Sequence, residues 1–298
     1  MTTVHYTACP VCDSRNINPL ITVPDHSVSG ESFVIWQCMD CTLRFTQDVP
    51  DEASISPYYK SEDYISHTNT AKGFINNWYQ KARKFTLQQK QRLITKTTGL
   101  SSGKILDMGA GTGAFLATMK TSGWQTTGIE PDDDARNIAR KTFGIDLLGT
   151  DELQNLQPAS FDAITLWHVL EHVHALHQYI DQLKNALKEK GKLFIAVPNY
   201  EAFDATAYNL YWAAYDVPRH LYHFTPRSMK ALMEKHGLKI AQKKPMWLDA
   251  FYISLLSSKY KNGKPSVLSA GFQGLRSNII AFLNKDKCSS VIYIIEKG

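Results

Sequence analysis

Residues 105–116 read ILDMGAGTGAFL, and this stretch decides the fold. Ile105 and Leu106 run as a strand into Asp107. Gly109, Ala110, Gly111 and Gly113 make a Gly-x-Gly-x-Gly turn, and Ala114, Phe115 and Leu116 open a helix. Glycines lack a Cβ, so such a turn bends tightly and lets a ligand approach the backbone. The helix start that follows presents free N–H groups to an anionic ligand group. Strand, glycine turn and helix together make a cofactor pocket.

Outward from this point the periodicity alternates between strand and helix. A strand at 104–108 precedes a helix at 113–122, and a strand at 125–129 precedes a helix at 133–143. Short apolar runs predict strands at 146–149, 161–166 and 192–197, the last closed by Pro198, with a helix reaching residue 188 between the latter two. Thr225-Pro226 starts another helix, with Thr as N-cap and Pro in the first helical position, and Gly237 ends it. Strands at 238–242 and 291–295 complete the pattern. Upstream, Phe74, Trp78, Ala82 and Phe85 recur at helical spacing between 71 and 97. A βαβ succession of this kind predicts an α/β, doubly wound, mostly parallel sheet with helices on both faces.

Two cofactor classes fit the glycine turn. Gly109-x-Gly111-x-x-Ala114 satisfies a relaxed dinucleotide fingerprint, with Glu130 at a suitable distance for a ribose. Charge argues against it, because Asp107 would face a pyrophosphate. Like charges about 4 Å apart repel by roughly 4 kcal/mol at an effective dielectric near 20. A ligand carrying a sulfonium and an α-ammonium is instead favoured by an acid there. LDMGAGTGAFL resembles the first motif of the class I S-adenosylmethionine-dependent methyltransferases, and GIEPD (128–132) resembles their second. The resemblance spans roughly 72–298. It implies a seven-stranded, Rossmann-like sheet of order 3-2-1-4-5-7-6, and S-adenosylmethionine as cofactor.

Composition sets the outer limits. The 298 residues allow one large domain and a small satellite; 43% hydrophobic and 20% charged residues are ordinary for a soluble globular chain. No apolar run approaches the length of a membrane span. MTTVHYTACPVC lacks the basic and apolar regions of a secretory signal, which makes cytoplasm the expected location. The net charge of +5 is unevenly spread. No acid occurs in 64–106, where Lys72, Lys81, Arg83, Lys84, Lys90, Arg92, Lys96 and Lys104 lie, nor in 235–248. Either these are solvated faces or they attract a phosphate-bearing substrate or anionic surface.

Cys9-Pro-Val-Cys12 and Cys38-Met-Asp-Cys41 can each aim two thiolates at one ion, completing a tetrahedral structural zinc site. The segment between them alternates as short strands would. This part resembles the zinc ribbons found ahead of several methyltransferases, and so small a piece would draw much of its folding free energy from metal. The expected organisation is a ribbon at 1–46, a linker at 47–71 containing Tyr58, Tyr59 and Tyr64, and a catalytic domain at 72–298. The three tyrosines either pack the ribbon or close over a ligand. Cys288 is expected to be a small buried side chain.

By resemblance, Glu130, followed by Pro131, accepts both ribose hydroxyls. Asp151, with Glu152 beside it, accepts from the adenine amino group. Trp167 and His168, in the WHVLEHV segment, flank the methionine end. His168, His172 and His174 with Glu171 do not follow the His-Glu-x-x-His order, so Glu171 and His172 are expected to brace the helix start rather than bind metal. The segment 199–225 is dense in aromatics. It reads as a substrate lid or a small hydrophobic subdomain, with His220 or His223 as general base, Tyr222 beside them and Arg219 holding an anion.

The acceptor is expected to be a small molecule. The ribbon and tyrosine-rich linker also resemble those of nucleotide-sugar C-methyltransferases, which suggests a sugar or nucleotide-sugar. An RNA methyltransferase is less favoured, since WHVLEHV stands where an Asn-Pro-Pro-Tyr-type motif would serve base methylation. A non-catalytic cofactor-binding module is the third reading.

Overall fold

The computed structural model describes residues 2–59 and 74–298, with the side chains of the first helix described from residue 84 onward. Tyr64, Lys72, the expected helix start at 71 and the linker end at 71 lie outside the described residues. In chain order the elements are β1 (Thr3–Val4), β2 (Ile17–Pro24), β3 (Ser32–Cys38), β4 (Arg44–Thr46), β5 (Val49–Pro50) and α1 (Phe74–Thr98). The sequence continues with β6 (Lys104–Met108), α2 (Ala114–Thr121), β7 (Gln125–Ile129), α3 (Asp133–Phe143), β8 (Phe161–Trp167) and α4 (Leu176–Ala186). Then come β9 (Leu187–Pro198), α5 (Phe203–Tyr208), β10 (Tyr222–His223) and α6 (Pro226–Lys235). Last are β11 (Leu238–Pro245), α7 (Asp249–Asn262), α8 (Val267–Leu283) and β12 (Ser290–Lys297).

The central sheet has six strands in the order β11-β12-β9-β8-β6-β7, and β6 pairs in parallel with both β7 and β8. This is the expected doubly wound sheet with one correction. The third strand, expected at 146–149, is reduced to a single parallel bridge between Leu148 and Ile129. Leu148 makes one bond to the Gly128 carbonyl and accepts one from Glu130. On one side Asp146 is drawn to Arg140 at the surface, and on the other a 3-10 turn begins at Thr150. Too few residues remain for a ladder. β9 is longer than the expected 192–197 because pairing begins at Leu187.

Two compact units divide the chain. One comprises 65–167, 177–195 and 295–298. Its core is the apolar strand residues Ile105, Leu106, Ile129, Ile164, Phe194 and Ile195, all buried. α1 packs on α2 and β8, and α2 packs on β7. Asp132 caps α3 by accepting from the Ala135 N–H.

The other unit comprises 1–64, 168–176 and 196–294. Here the N-terminal strands are not a separate satellite. They form the sheet β10-β4-β3-β2, in which Tyr222 pairs with Phe45 and His223 with Arg44. Val23 and Ile35 from these strands share one core with Tyr200, Tyr208, Trp212, Tyr215 and Val217. Segment 199–225 is thus packed on the ribbon strands through a shared apolar core. The helix expected at Thr225-Pro226 is α6, closed by a capping box between Thr225 and Ser228. Cys288 is fully buried, as expected.

Candidate active site

In the first unit, β6 delivers Asp107 to the carboxyl edge of the sheet, where it is 2% exposed. Gly109, Gly111 and Gly113 follow with φ of 62°, 53° and 76°, a left-handed region costly for residues with a Cβ. A Cβ on Gly113 would stand 3.0 Å from that of Ala139, whereas a Cβ on Gly111 would meet nothing within 4 Å. At Gly113 a tight contact adds to the backbone cost, and Gly111 leaves a cradle open. The Thr165 hydroxyl of β8 donates to Asp107 Oδ1 at 2.5 Å. Burial pushes the Asp107 carboxyl up to about 7, against the lowering effects of the Thr165 hydrogen bond and the Lys90 charge.

Glu130, at the tip of β7, closes the other side. Its Oε2 accepts from the Gly111 N–H at 2.7 Å and its Oε1 from the Asp132 N–H at 3.1 Å. Burial raises its pKa, with the two backbone hydrogen bonds opposing. Each carboxylate oxygen keeps a lone pair for a hydroxyl donor. Pro131 lies next to it, its carbonyl accepting from Arg136. Asp151 and Glu152 sit in the 3-10 turn just past the Leu148 bridge, with Asp151 exposed. Trp167 packs its ring edge-on against Phe115, and the Lys90 ammonium lies 4.2 Å from the Trp167 ring centroid. A buried acid, an open glycine cradle and a second acid with spare lone pairs fit a cationic, ribose-bearing cofactor such as S-adenosylmethionine.

In the second unit, the four expected cysteine ligands converge. The sulfurs of Cys9, Cys12, Cys38 and Cys41 lie within 4.8 Å of one another; Cys9 and Cys41 are 3.5 Å apart, Cys12 and Cys38 3.6 Å. Four sulfurs at 2.3 Å from a common tetrahedral centre would stand about 3.8 Å apart. Each Cys-x-x-Cys is followed by a left-handed residue, Asp13 and Thr42, whose N–H bonds back to the carbonyl of the first cysteine. Those two matched turns fit structural zinc.

The same unit holds the histidines. His168 has φ of 58°; its Nε2 lies 2.9 Å from Asp249 and its Nδ1 3.3 Å from Glu171. Burial would lower its pKa, but those two carboxylates outweigh it and raise the ring to about 10. Glu171 is fully buried, and its second oxygen has no partner among the described residues. Glu171, His172 and His220 place their ligand atoms within 4.8 Å of one another, close enough to hold one ion. Burial, reinforced by His220, drives His172 down to about 4. The His220 Nδ1 lies 2.8 Å from the Ala214 carbonyl, which fixes the proton there and leaves Nε2 as the basic nitrogen.

The other expected catalytic residues are placed differently. Arg219 is 1% exposed, and its guanidinium donates to Asp25, Asp216, Ser27 and the Tyr58 carbonyl. Its donors are spent within the protein, so an anion-holding role gives way to a structural one. His223 is buried against Tyr215, with Thr46 3.4 Å away, and burial lowers its pKa well below the usual value. The Tyr222 hydroxyl lies 3.2 Å from that of Tyr6, inside the β10–β4 sheet.

A family model described as a methyltransferase domain matches residues 79–243. The chain belongs to the methyltransferase-domain family. Ubiquinone biosynthesis O-methyltransferase from Idiomarina loihiensis is 32% identical over 110 residues, covering 35% of this chain and 45% of that protein. The enzyme of that name from Glaesserella parasuis is 37% identical over 118 residues, covering 36% of this chain and 50% of its own. The chain spans about half the length of these relatives. Among solved structures, magnesium protoporphyrin IX methyltransferase from Synechocystis PCC 6803 superposes with a TM-score of 0.54 at 11% identity, covering 83% of this chain and 100% of the other. A SAM-dependent methyltransferase from Archaeoglobus fulgidus gives 0.50 at 18%, covering 76% and 100%. These likenesses show the methyltransferase fold.

Sequence reading missed several residues of this methyltransferase domain's sites. Thr165 lies within a plain apolar strand, and only its register opposite Asp107 marks it. Lys90 stood in the acid-free stretch as one cation among many, yet its charge bears on Asp107. Asp249 lies 81 residues beyond the histidine it pairs with. No local spacing signals such a partner.

Proposed function

We propose that this chain transfers the methyl group of S-adenosylmethionine to a hydroxyl or acidic carbon of a small molecule. The observation that carries this reading is the buried Asp107 carboxylate beside the open cradle at Gly111. Bound there, the cofactor supplies a methyl already activated by its sulfonium leaving group. The chain's own residues must then hold the cofactor, exclude water and take a proton from the acceptor. Asp107 faces the cationic end, Glu130 accepts the ribose hydroxyls while tethering Gly111, and Asp151 with Glu152 meets the adenine. Trp167 borders the methionine end, by resemblance to the family's motif at the end of β8.

For the proton we propose His220. Its Nδ1 is tied to a carbonyl, and its Nε2 stands 3.9 Å from Asp216. His223 has no such carboxylate beside it among the described residues, and burial lowers its pKa well below the usual value. Replacing His220 by Ala should cut kcat by about a hundredfold or more, with cofactor affinity unchanged. Unchanged kcat across the pH range removes His220 from the mechanism. If a chelator abolishes turnover and a divalent ion restores it, the role passes to a metal held by Glu171, His172 and His220.

The relatives named as ubiquinone biosynthesis O-methyltransferases support an oxygen acceptor on a small molecule. A nucleotide-sugar is the second reading, favoured by the ribbon–tyrosine resemblance and by the exposed lysine at 84 with Arg92, Lys96 and Lys104 nearby in sequence. Methyl-labelled cofactor offered with a panel of phenols and a panel of nucleotide-sugars separates the two by the mass of the labelled product. Label in neither panel, despite cofactor binding, favours a non-catalytic module or an RNA substrate.

A further inference from the structure

The helical hairpin α7–α8 has its apolar residues on the wrong side for a helix packed only on protein. On α8 the buried positions are Ala270, Gly274, Ser277 and Ala281, spaced four, three and four residues apart. Two residues further round, about 200° of helix rotation away, runs a second stripe with that spacing: Leu268, Phe272, Leu275, Ile279 and Phe282, followed by Leu283. These are exposed, with Leu268 at 88%, Phe282 at 77% and Leu283 at 82%. The small inner face lets α8 lie close on α7, since a Cβ at Gly274 would fall 2.6 Å from the Phe251 ring. An ordinary surface helix shows the opposite arrangement, large apolar residues inward and polar ones outward.

Charge says what covers this face. From residue 250 to 285 there is no acidic residue, while Lys261, Lys264, Arg276 and Lys285 are all exposed. Arg276 lies over the Phe272 ring, its centroid 5.5 Å from the guanidinium carbon, so a cation borders the apolar stripe itself. A second copy of this chain would bring like charges together with no acid on the face to answer them. An anionic bilayer surface supplies both acyl chains for the stripe and phosphates for its cationic border. No helix among the described residues is long and apolar enough to cross a membrane, so the contact is interfacial.

We infer that α8 is a monotopic membrane contact that seats this chain on anionic phospholipid. The inference is independent of the acceptor and of turnover. Full-length protein is sedimented with vesicles of phosphatidylcholine alone and of phosphatidylcholine mixed with phosphatidylglycerol. The expected result is pelleting with the anionic vesicles, weakening with added salt, and little pelleting with the neutral ones. The double variant Phe272→Asp, Phe282→Asp should remain in the supernatant with unchanged melting temperature and cofactor affinity. Lys264→Gln should weaken the partition about fivefold, the scale of one cation near such a surface. Wild-type protein that stays in the supernatant with both vesicles overturns the inference. So does a variant that pellets as well as wild type. Concentration-dependent self-association abolished by the double variant, without vesicle binding, assigns the face to a second copy instead.

Discussion

Asp107 carries a tension between stability and function. Its pKa is raised to about 7 by burial, so between its unfolded value near 4 and that point the folded state holds a proton that the unfolded chain has released. Its contribution to stability is full below pH 4 and is lost as pH rises through 7. A cationic cofactor requires the ionised form. The dissociation constant for S-adenosylmethionine, measured calorimetrically, should rise about tenfold per pH unit below that pKa, and an affinity flat from pH 8 to 5.5 contradicts the assignment. Asp107→Asn should abolish cofactor binding while raising the melting temperature at pH 8 in a thermal scan. Arg219 makes the contrasting case: its type and position in an aromatic segment suggested an anion clamp, yet its partners Asp25 and Asp216 lie inside the fold. Removing one partner of a buried pair costs about 3–5 kcal/mol. Arg219→Ala should therefore appear as a large loss of thermal stability, and a change confined to KM for an anionic substrate would restore the clamp.

Elements divide by how locally they are specified. The glycine turn and the two cysteine knuckles were legible because each is a short motif whose backbone needs are met within its own residues. Thr225 and Pro226 were legible too, since a cap acts on the next three N–H groups. Thr225→Ala should cost about 1 kcal/mol, read as a shift in the denaturation midpoint. The third strand was not legible as a single bridge: alternation at 146–149 is compatible with a ladder, and only the surface pull on Asp146 and the turn at Thr150 shorten it. Helices α7 and α8 left little local signal, because small residues face inward and large ones outward. Periodicity records which residues share a face, and packing determines which face is inside.

Across the whole molecule, the ribbon proves to be a foundation for 199–225 within one unit. β4 pairs with β10, and Asp25 holds Arg219. Withdrawing zinc with a chelator should therefore raise hydrogen exchange in β10 and in 199–225 as well as in the cysteine knuckles. Faster exchange confined to the knuckles would show that the sheet stands without metal. The sequence by itself determined the βαβ frame, the acid-and-glycine cofactor turn and the four-cysteine ligand set. Each of those follows from backbone and charge requirements met within about thirty residues or by identical paired motifs. Tertiary structure alone decided that the His220 Nδ1 meets the Ala214 carbonyl, that Arg219 is internal, and that an apolar stripe on α8 faces outward. Those outcomes depend on partners brought together from distant segments, and on burial, which a linear pattern does not contain.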